Sequence, residues 1–343
     1  MTIHRRPGRQ AATLEEVAAR AGVSRATASR VLRGASNVSE HAREAVAAAA
    51  HELNYAPNLA ARSLATGRSE SIAFLVDETE ERMFSDPFFL AMLRSAHEAV
   101  GQSGRQLVFA VTSTSGDHDR FVEYAAGGHV DGVLLLSLHG PTKLPQRLEE
   151  LGVPTMLSGR PLVGRRHLWF VDADNVEGGR LATAHLLDVG RRVVGTVAGP
   201  TTMCAGIDRL EGYRAALEAA GVPFDESLVE RAEFTAVSGQ AAMARLLERR
   251  PDLDAVFVAS DLTAMGAIRA IETSGRKVPD DVAVIGFDDI PDAALQQPPL
   301  STVRQPTAEM AATMARLLQE RIDGGAPPRQ TTLPVQLVLR ETA

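Results

Sequence analysis

The sequence contains little that could cross-link the chain or insert it into a membrane. Cys204 is the single cysteine among 343 residues, which excludes an internal disulfide and suits a reducing compartment. No run of about 18 apolar residues is present that could span a bilayer. The arginines near the N-terminus are not followed by an apolar segment of signal-peptide length, so we expect a cytoplasmic protein.

Signatures of catalysis and of metal binding are also missing. No G-x-G-x-x-G follows a predicted strand, as a dinucleotide-binding dehydrogenase would need, and no residues form the pattern of nucleophile, base and orienting partner. The nine histidines are scattered, without an H-E-x-x-H or similar pair. We therefore expect no enzyme, no cofactor and no metal. The 45% hydrophobic and 23% charged fractions fit a soluble protein of two or three domains.

Charge is divided unevenly along the chain. The whole chain carries a formal charge of −7, but residues 1–68 hold ten Arg and five Glu, which leaves +5 there and −12 on the remainder. A small basic end on an acidic body is typical of a protein that contacts nucleic acid through one end.

The segment from Thr13 to Arg33 has the pattern of two short helices joined by a tight turn. Thr13 and Glu16 form a capping box at the start of the first helix. Gly22 supplies the positive φ of a sharp helix end, and Ser24 caps the second helix. The apolar residues of the first helix fall on one face: Leu14, Val17, Ala18 and Ala21.

The second helix leaves a polar outer face, which consists of Arg25, Ala26, Thr27, Ser29 and Arg30. An arginine can donate two hydrogen bonds to guanine, hydroxyls contact bases or phosphates, and methyl groups can meet thymine. This pattern predicts a helix-turn-helix that reads DNA. The alternative is an ordinary αα-hairpin with a solvated face.

A third helix and a short hinge follow. Ser39 caps a helix from about Glu40 to Leu53, which would complete a three-helix core. Residues 58–67 can form one short helix, which is too short to be stable alone and would need DNA or a partner to order it. We expect a DNA-binding domain at residues 1–57, a hinge and linker at 58–68, and a body at 69–343.

Within the body, short β-rich runs alternate with amphipathic helical stretches. The predicted strands are Ile72–Val76, Leu107–Val111, Gly132–Leu136, Thr155–Leu157, Leu168–Val171, Val193–Ala198, Ala255–Val258, Val282–Phe287 and Leu333–Arg340. The predicted helices include Phe88–Ser103, Gly178–Val189, Arg209–Ala220, Ser238–Arg249, Ala264–Ser274 and Thr307–Asp323. This alternation predicts parallel sheets covered by helices, in two similar lobes.

Polar residues follow several predicted strands, where parallel sheets bind ligands. They are Asp77, Asp172, Asp174, Arg209, Ser260, Asp261, Asp288 and Asp289, with Phe88, Phe89 and Phe234 nearby in the sequence pattern. Carboxylates and a guanidinium between aromatic walls suit a neutral polyhydroxyl ligand. For any single Asp, a turn or cap role is the competing explanation.

Many ordered motifs resemble the lactose-repressor (LacI/GalR) family of bacterial transcriptional regulators, over nearly the whole chain. The motifs are Thr13–Arg33, Val38-Ser39 through Asn58, Ala61–Leu64, Asp174-Asn175 with Gly178-Gly179 and His185-Leu186, Arg209 with Gly212-Tyr213, Ser260-Asp261 with Gly266, Val278-Pro279-Asp280 through Asp289, and Pro299–Val303. The resemblance implies an all-α helix-turn-helix headpiece, a hinge helix and an α/β core like periplasmic binding proteins, with two parallel-sheet lobes joined by three crossovers.

For DNA, the resemblance implies a homodimer on a pseudo-palindromic operator. Arg25 and Ala26 would set operator choice, while Arg30 and Asn37 would add base contacts. The residues expected to contact mostly phosphates are Ser24, Thr27, Ser29 and Ser39. Asn58 and Leu64 would lie at the DNA in the hinge, with Leu64 as a wedge in the minor groove; a plain apolar helix residue is the alternative for Leu64.

For the effector, the resemblance implies a small molecule, expected to be a sugar, between the lobes. Arg209 and Asp288 would be the polar anchors and Phe88 and Phe234 the walls. Further contacts would come from Asp77, Arg160 and Ser260. Effector binding would shift lobe closure and so change operator affinity, as in a repressor.

Two departures from the family pattern affect the expected effector. Purine-binding members carry Arg where this chain has Met203, which argues against a nucleobase, and Ser260 replaces the more common Asn. No leucine heptads follow the last strand, so a tetramer is not expected. Two alternatives remain open: control by a protein co-regulator or a non-sugar metabolite, and a solute-binding protein, which would lack the helix-turn-helix.

Overall fold

The computed structural model describes residues 12–32, 37–55 and 67–343. The chain divides into two compact units, Met1–Ser69 and Glu70–Ala343. Within the described ranges, no helix is both long enough and apolar enough to cross a membrane.

The first unit contains the three predicted helices, α1 (Leu14–Arg20), α2 (Arg25–Leu32) and α3 (Glu40–Glu52). The capping box is present, because the Thr13 hydroxyl accepts from the Glu16 amide and the Glu16 carboxylate accepts from the Thr13 amide at 2.7 Å. Ser24 accepts from the Thr27 amide at 3.1 Å, and Gly22 has a φ of +66°.

The predicted apolar faces of the three helices meet in one small core. Its buried members are Val17, Ala18, Ala28, Val46 and Ala49. The predictions for the hinge, including Asn58 and Leu64, lie outside the described residues.

The second unit contains two six-stranded sheets. The strands are β1 (Ser71–Asp77), β2 (Gln106–Thr112), β3 (Gly132–Leu136), β4 (Thr155–Ser158), β5 (Trp169–Ala173), β6 (Val194–Ala198), β7 (Val229–Arg231), β8 (Ala255–Val258), β9 (Ala283–Asp288), β10 (Ser301–Arg304), β11 (Gln330–Leu333) and β12 (Gln336–Val338). The first sheet has the order β11-β5-β4-β3-β1-β2 and the second β12-β10-β9-β8-β6-β7. All pairings are parallel except that of β10 with β12.

Helices cover both sheets, as the alternating pattern predicts. They are α4 (Glu80–Ser85), α5 (Pro87–Gln102), α6 (Ser115–Tyr124), α7 (Leu144–Glu150), α8 (Asn175–Asp188), α9 (Cys204–Ala219), α10 (Ala236–Arg249), α11 (Asp261–Thr273), α12 (Pro291–Leu295) and α13 (Thr307–Ile322). We call the layers around the first sheet lobe A and those around the second sheet lobe B.

The chain passes between the lobes three times: after β5, after β10 and after β11. The structure thus confirms the predicted fold class of a helical headpiece and a two-lobed core. The single strand predicted at Leu333–Arg340 is wrong, because it is two strands, one in each lobe, separated at Pro334 and Val335. The sequence pattern also missed the short strands β7 and β10.

Candidate functional site

A cleft between the lobes is lined by residues that follow strands of both sheets. Its lining consists of Arg82, Asp86, Phe88, Phe89, Ser137, Leu138, Ser158, Gly159, Arg160, Asp172, Asn175, Met203, Cys204, Ala205, Arg209, Phe234, Asp288, Gln305 and Met310. Five of the seven predicted effector residues are therefore together in this cleft: Phe88, Arg160, Arg209, Phe234 and Asp288.

Arg209 of α9 is buried at the base of the cleft. Its Nε donates to Asn175 Oδ1 at 2.9 Å, and its Nη1 donates to the Ala259 carbonyl at 2.5 Å and lies 3.4 Å from Asp288 Oδ1. Its guanidinium carbon lies 3.6 Å from the centre of the Phe287 ring, where a cation–π contact forms. These contacts fix the guanidinium beside the Asp288 carboxylate.

Two glycines allow α8 and α9 to approach closely enough to place Arg209 there. A Cβ on Gly179 would lie 2.2 Å from the Arg209 carbonyl oxygen, and one on Gly212 would lie 2.0 Å from the Val176 carbonyl oxygen. Any larger residue at either position would push the two helices apart. The Gly178-Gly179 and Gly212-Tyr213 motifs therefore have a packing role that supports the site.

Asp288 ends β9 in an uncommon backbone conformation. Its φ is +120° and that of Asp289 is +58°, a combination that L-residues rarely adopt and that costs free energy. Asp289 is ion-paired to Arg304 at 2.6 Å and to Arg340 at 2.5 Å, which holds the turn. Burial raises the pKa of Asp288 to about 6, although the nearby Arg209 charge opposes the shift.

A hydrogen-bonded chain links this pair to the first crossover. Asn175 Nδ2 donates to Asp172 Oδ1 at 3.0 Å, while Asn175 Oδ1 accepts from Arg209. The other Asp172 oxygen accepts from the Arg160 backbone amide at 3.0 Å. Burial raises the pKa of Asp172 to about 6. The first crossover and the cleft base therefore share one polar network.

Lobe A supplies the opposite wall of the cleft. Asp86 caps α5 by accepting from the Phe88 amide at 3.0 Å, which fixes the Phe88 backbone at the start of that helix. Burial raises the pKa of Asp86. Arg82 of α4 lies 2.5 Å from the buried carboxylate of Glu78 and 5.3 Å from the ring centre of Phe234 in lobe B.

Contacts between the lobes flank the cleft. Arg160 of lobe A is ion-paired with Asp208 of α9, with Nη2 and Oδ1 2.5 Å apart. On another loop, the Gly140 amide donates to the Thr202 carbonyl at 2.8 Å. Arg160 therefore uses its guanidinium to connect the lobes, a contact that the sequence pattern did not predict.

The structure does not bring Asp77 and Ser260 to the cleft lining. Asp77 Oδ1 lies 2.6 Å from His118 Nε2 and accepts from the Thr112 hydroxyl at 3.2 Å. Ser260 caps α11 by accepting from the Thr263 amide at 3.3 Å. Both side chains are buried, and these local hydrogen bonds hold them away from the cleft lining.

Sequence reasoning did not select several lining residues. Arg82 and Asp86 lie in the connection after β1, where the sequence alone indicated neither the short helix α4 nor its place in the cleft. Gln305 follows β10, a strand that was missed, and donates to Asp288 Oδ1 at 2.5 Å. Asn175 belongs to the Asp174-Asn175 motif, but the motif alone predicts no contact with Arg209. Cys204 begins α9, and burial raises the pKa of its thiol to about 11.

In the first unit, the residues proposed to contact DNA are mostly accessible. Ser24, Arg25, Ala26, Arg30, Asn37 and Ser39 are exposed, and Thr27 and Ser29 are half-buried. Arg25 is paired with Glu15 at 2.6 Å, and both side chains are largely exposed. The inward neighbour Ala28 is fully buried, so α2 has one core face and one open polar face.

Comparison with known proteins supports the family resemblance. Residues 13–58 match the model for bacterial regulatory proteins of the lacI family, and residues 183–343 match that for a periplasmic binding protein-like domain. The chain is 49% identical over 332 residues to the HTH-type transcriptional regulator CelR of Thermobifida fusca, covering 96% of each chain. It is 34% identical to the ribose operon repressor of Halalkalibacterium halodurans, again covering 96% of each.

Solved structures match over nearly the whole chain. A complex of the transcriptional regulator CelR with cellobiose aligns with a TM-score of 0.78 at 47% identity, covering 97% of this chain and 100% of that one. The lac repressor dimer bound to operator and the anti-inducer ONPF aligns with a TM-score of 0.85 at 28% identity, covering 97% and 99%. The chain belongs to the lacI family of bacterial transcriptional regulators.

Proposed function

We propose that this regulator binds a pseudo-palindromic operator as a homodimer and that a neutral saccharide of the cellobiose class, bound in the cleft, controls its operator affinity. The observation that carries the proposal is the Arg209–Asp288 pair at the cleft base, between the Phe88 and Phe234 walls. Guanidinium and carboxylate groups can hold adjacent hydroxyls, and an aromatic face can cover a sugar ring. A 49%-identical relative is the CelR regulator of Thermobifida fusca, and a solved CelR structure that is 47% identical to this chain is a complex with cellobiose.

The charges of the cleft favour a neutral ligand over an anionic one. Its lining carries three arginines and three aspartates. Each arginine has a carboxylate partner: Arg82 with Glu78, Arg160 with Asp208, and Arg209 with Asp288. A phosphate or carboxylate on the ligand would therefore compete with these carboxylates and leave buried negative charge uncompensated.

A nucleobase effector is disfavoured by one lining residue. Met203 lies in the cleft lining, where purine-binding family members carry an arginine. A thioether can pack against a sugar or an aglycone, but it donates no hydrogen bond to a purine.

An apolar patch on lobe A is proposed to form the dimer interface. Leu90 and Phe109 are 48% and 39% exposed, and they line a shallow groove with Leu93 and Leu107. Phe109 lies on β2, an edge strand of its sheet. Contiguous exposed apolar side chains mark interaction surfaces, and two-fold symmetry would pair this patch with its copy. A two-fold dimer would match a pseudo-palindromic operator.

The operator contacts are proposed for the open face of α2 and the segment after it. Arg25, Ala26, Arg30 and Asn37 would contact bases, while Ser24, Thr27, Ser29 and Ser39 would contact phosphates. The hinge residues Asn58 and Leu64 remain part of the proposal, with Leu64 as the minor-groove wedge. Such a regulator acts on chromosomal DNA, so we place it in the cytoplasm, at the nucleoid when DNA-bound.

Calorimetric titration of the purified chain with cellobiose, glucose 6-phosphate and hypoxanthine tests the effector class. We expect saturable binding of cellobiose and none of the other two. Loss of cellobiose binding in Asp288→Ala, but not in the surface variant Glu177→Gln, would support the cleft as the site. Binding of hypoxanthine or of the sugar phosphate with no response to cellobiose would contradict the proposal.

A further inference from the structure

Arg82 lines the cleft and has an unused hydrogen-bond donor. Its side chain is 11% exposed, and its Nε is buried without a hydrogen-bond partner among the described residues. Leaving a buried donor unpaired costs roughly 1–3 kcal/mol, and more for a charged group. A buried donor that lines a ligand cleft is therefore a candidate for a ligand contact.

The rest of the Arg82 guanidinium is held in place. Its Nη1 donates to Glu78 Oε2 at 2.5 Å. Glu78 is itself fixed, because it also accepts from the Ser137 hydroxyl at 3.0 Å and lies 2.8 Å from His139 Nε2. Burial raises the pKa of Glu78, but the His139 hydrogen bond and the Arg82 charge outweigh it and lower that pKa, so Glu78 stays ionised.

Aromatic rings from both lobes surround this guanidinium. The Arg82 guanidinium carbon lies 5.7 Å from the ring centre of Phe89 in lobe A and 5.3 Å from that of Phe234 in lobe B. Phe234 is also 5.6 Å from the Arg209 guanidinium carbon. Arg82 thus stands across one aromatic wall from the Arg209–Asp288 pair, on the lobe A side of the same cleft.

We propose that Arg82 contacts the effector directly and determines specificity, by donating a hydrogen bond from Nε to one oxygen of the saccharide. The proposal rests on the saccharide effector proposed above. Glu78 holds one end of the guanidinium, so the Nε donor is positioned before the ligand arrives. A preorganised, charge-assisted donor in a buried site discriminates strongly against a ligand that lacks the matching oxygen.

Calorimetric titration with cellobiose compares the wild-type chain with Arg82→Lys. Lysine keeps the positive charge beside Glu78 but has no equivalent of the Nε–H group. We expect cellobiose to bind Arg82→Lys about 10- to 100-fold more weakly, as for the loss of one hydrogen bond to a charged group. The matched control is Arg105→Lys, because Arg105 is similarly buried and ion-paired to Asp323 but lies outside the cleft lining.

A second titration separates direct contact from a positioning effect. It uses cellobiose analogues in which each oxygen in turn is removed or replaced by sulfur. If Arg82 donates to one oxygen, the penalty of Arg82→Lys disappears for the analogue that lacks it and persists for the others. A penalty equal for all analogues would overturn the proposal. A change in folding stability caused by Arg82→Lys would affect all analogues equally, so it does not account for a penalty that disappears for one analogue alone.

The outcomes also distinguish this inference from the proposed function. If the wild type binds cellobiose and Arg82→Lys binds it equally well, only the Arg82 contact is contradicted. If the wild type binds neither cellobiose nor other neutral disaccharides, the saccharide effector is contradicted. The Arg82 contact is then contradicted as well.

Discussion

Arg160 of lobe A and Asp208 of lobe B form an ion pair across the cleft, with Nη2 and Oδ1 2.5 Å apart. A second contact, from Arg160 Nε to the other Asp208 oxygen at 3.3 Å, makes the pair bidentate. Both side chains are largely shielded from solvent, so the attraction is screened less than at an open surface. The pair therefore favours the arrangement in which the lobes are together.

Asp208→Asn should weaken effector binding without removing a residue from the cleft lining. Losing a partly buried pair costs on the order of 1 kcal/mol, which corresponds to a roughly fivefold rise in the cellobiose Kd. Calorimetry checks this, with Glu177→Gln as a control, because Glu177 pairs with Arg180 within α8. An equal Kd in Asp208→Asn would show that the pair does not contribute to closure.

The raised pKa of Asp288 predicts that effector binding depends on pH. The carboxyl titrates at about 6 in the free protein, and a sugar hydroxyl that donates to it favours the ionised form. Affinity should therefore rise with pH until Asp288 is ionised, by about tenfold from pH 5 to pH 7, and then level off. Binding at pH 6 should release about half a proton.

Calorimetry in two buffers of different ionisation enthalpy measures this proton release. Asp172 also has a pKa raised to about 6, so Asp172→Asn is the control. Because both Asp172 oxygens already accept hydrogen bonds within the protein, this variant should still release protons. Proton uptake on binding would contradict the prediction that the ionised Asp288 carboxylate accepts from a sugar hydroxyl, because Asp288 would then donate as a neutral acid.

The lobe A patch predicts that Leu90→Asp separates the dimer. A carboxylate placed against its own copy would be buried and would repel the partner, while the exposed position costs the folded monomer little. Sedimentation equilibrium should give the mass of one chain where the wild type gives two. Val189→Asp in lobe B is the control, because Val189 is exposed to a similar extent, 52%, but does not line the groove. A dimeric Leu90→Asp protein would place the interface elsewhere.

The exposed side chain of Arg30 on α2 is predicted to make a sequence-specific DNA contact. Arg30→Ala should weaken operator binding by about 1–3 kcal/mol and relax the preference at one base position. Fluorescence anisotropy with operator and random duplexes checks both effects, with Arg20→Ala as a control, because Arg20 is paired with Glu52 on α3. Equal losses on the two duplexes would indicate a phosphate contact. Wild-type affinity should also fall steeply with salt.

Local signals in the sequence were sufficient for the first unit. The capping box at Thr13 and Glu16, the Ser24 and Ser39 caps and the positive φ of Gly22 depend on neighbours within a few residues. The helix periodicity then identified the core face of each helix. These features were predictable because no distant part of the chain decides them.

Features that depend on distant parts of the chain were not predictable in the same way. Leu333–Arg340 reads as one extended apolar segment, but β11 pairs with β5 while β12 pairs with β10. Sheet membership decides the break, and the local pattern does not contain it. The strand-end rule selected Arg209, Asp288 and Asp172, which line the cleft, because such ends collect at one edge of each sheet.

The missed cleft residues depend on how the two lobes face each other. Arg82 lies on a six-residue helix, and its position is defined by Glu78 and by Phe234 from the other lobe. The Arg160–Asp208 pair likewise joins residues 48 positions apart across the cleft. No spacing rule in the sequence relates such residues.

Fluorescence anisotropy of an operator duplex, titrated with the protein in the presence and absence of saturating cellobiose, tests directly whether the effector controls operator binding. Reciprocal coupling between sites is typically 1–3 kcal/mol, so we predict a change in operator affinity of about 5- to 150-fold in the wild type. In Asp288→Ala, operator binding should persist and the cellobiose response should disappear. If cellobiose left the operator affinity of the wild type unchanged, control by this saccharide would be contradicted.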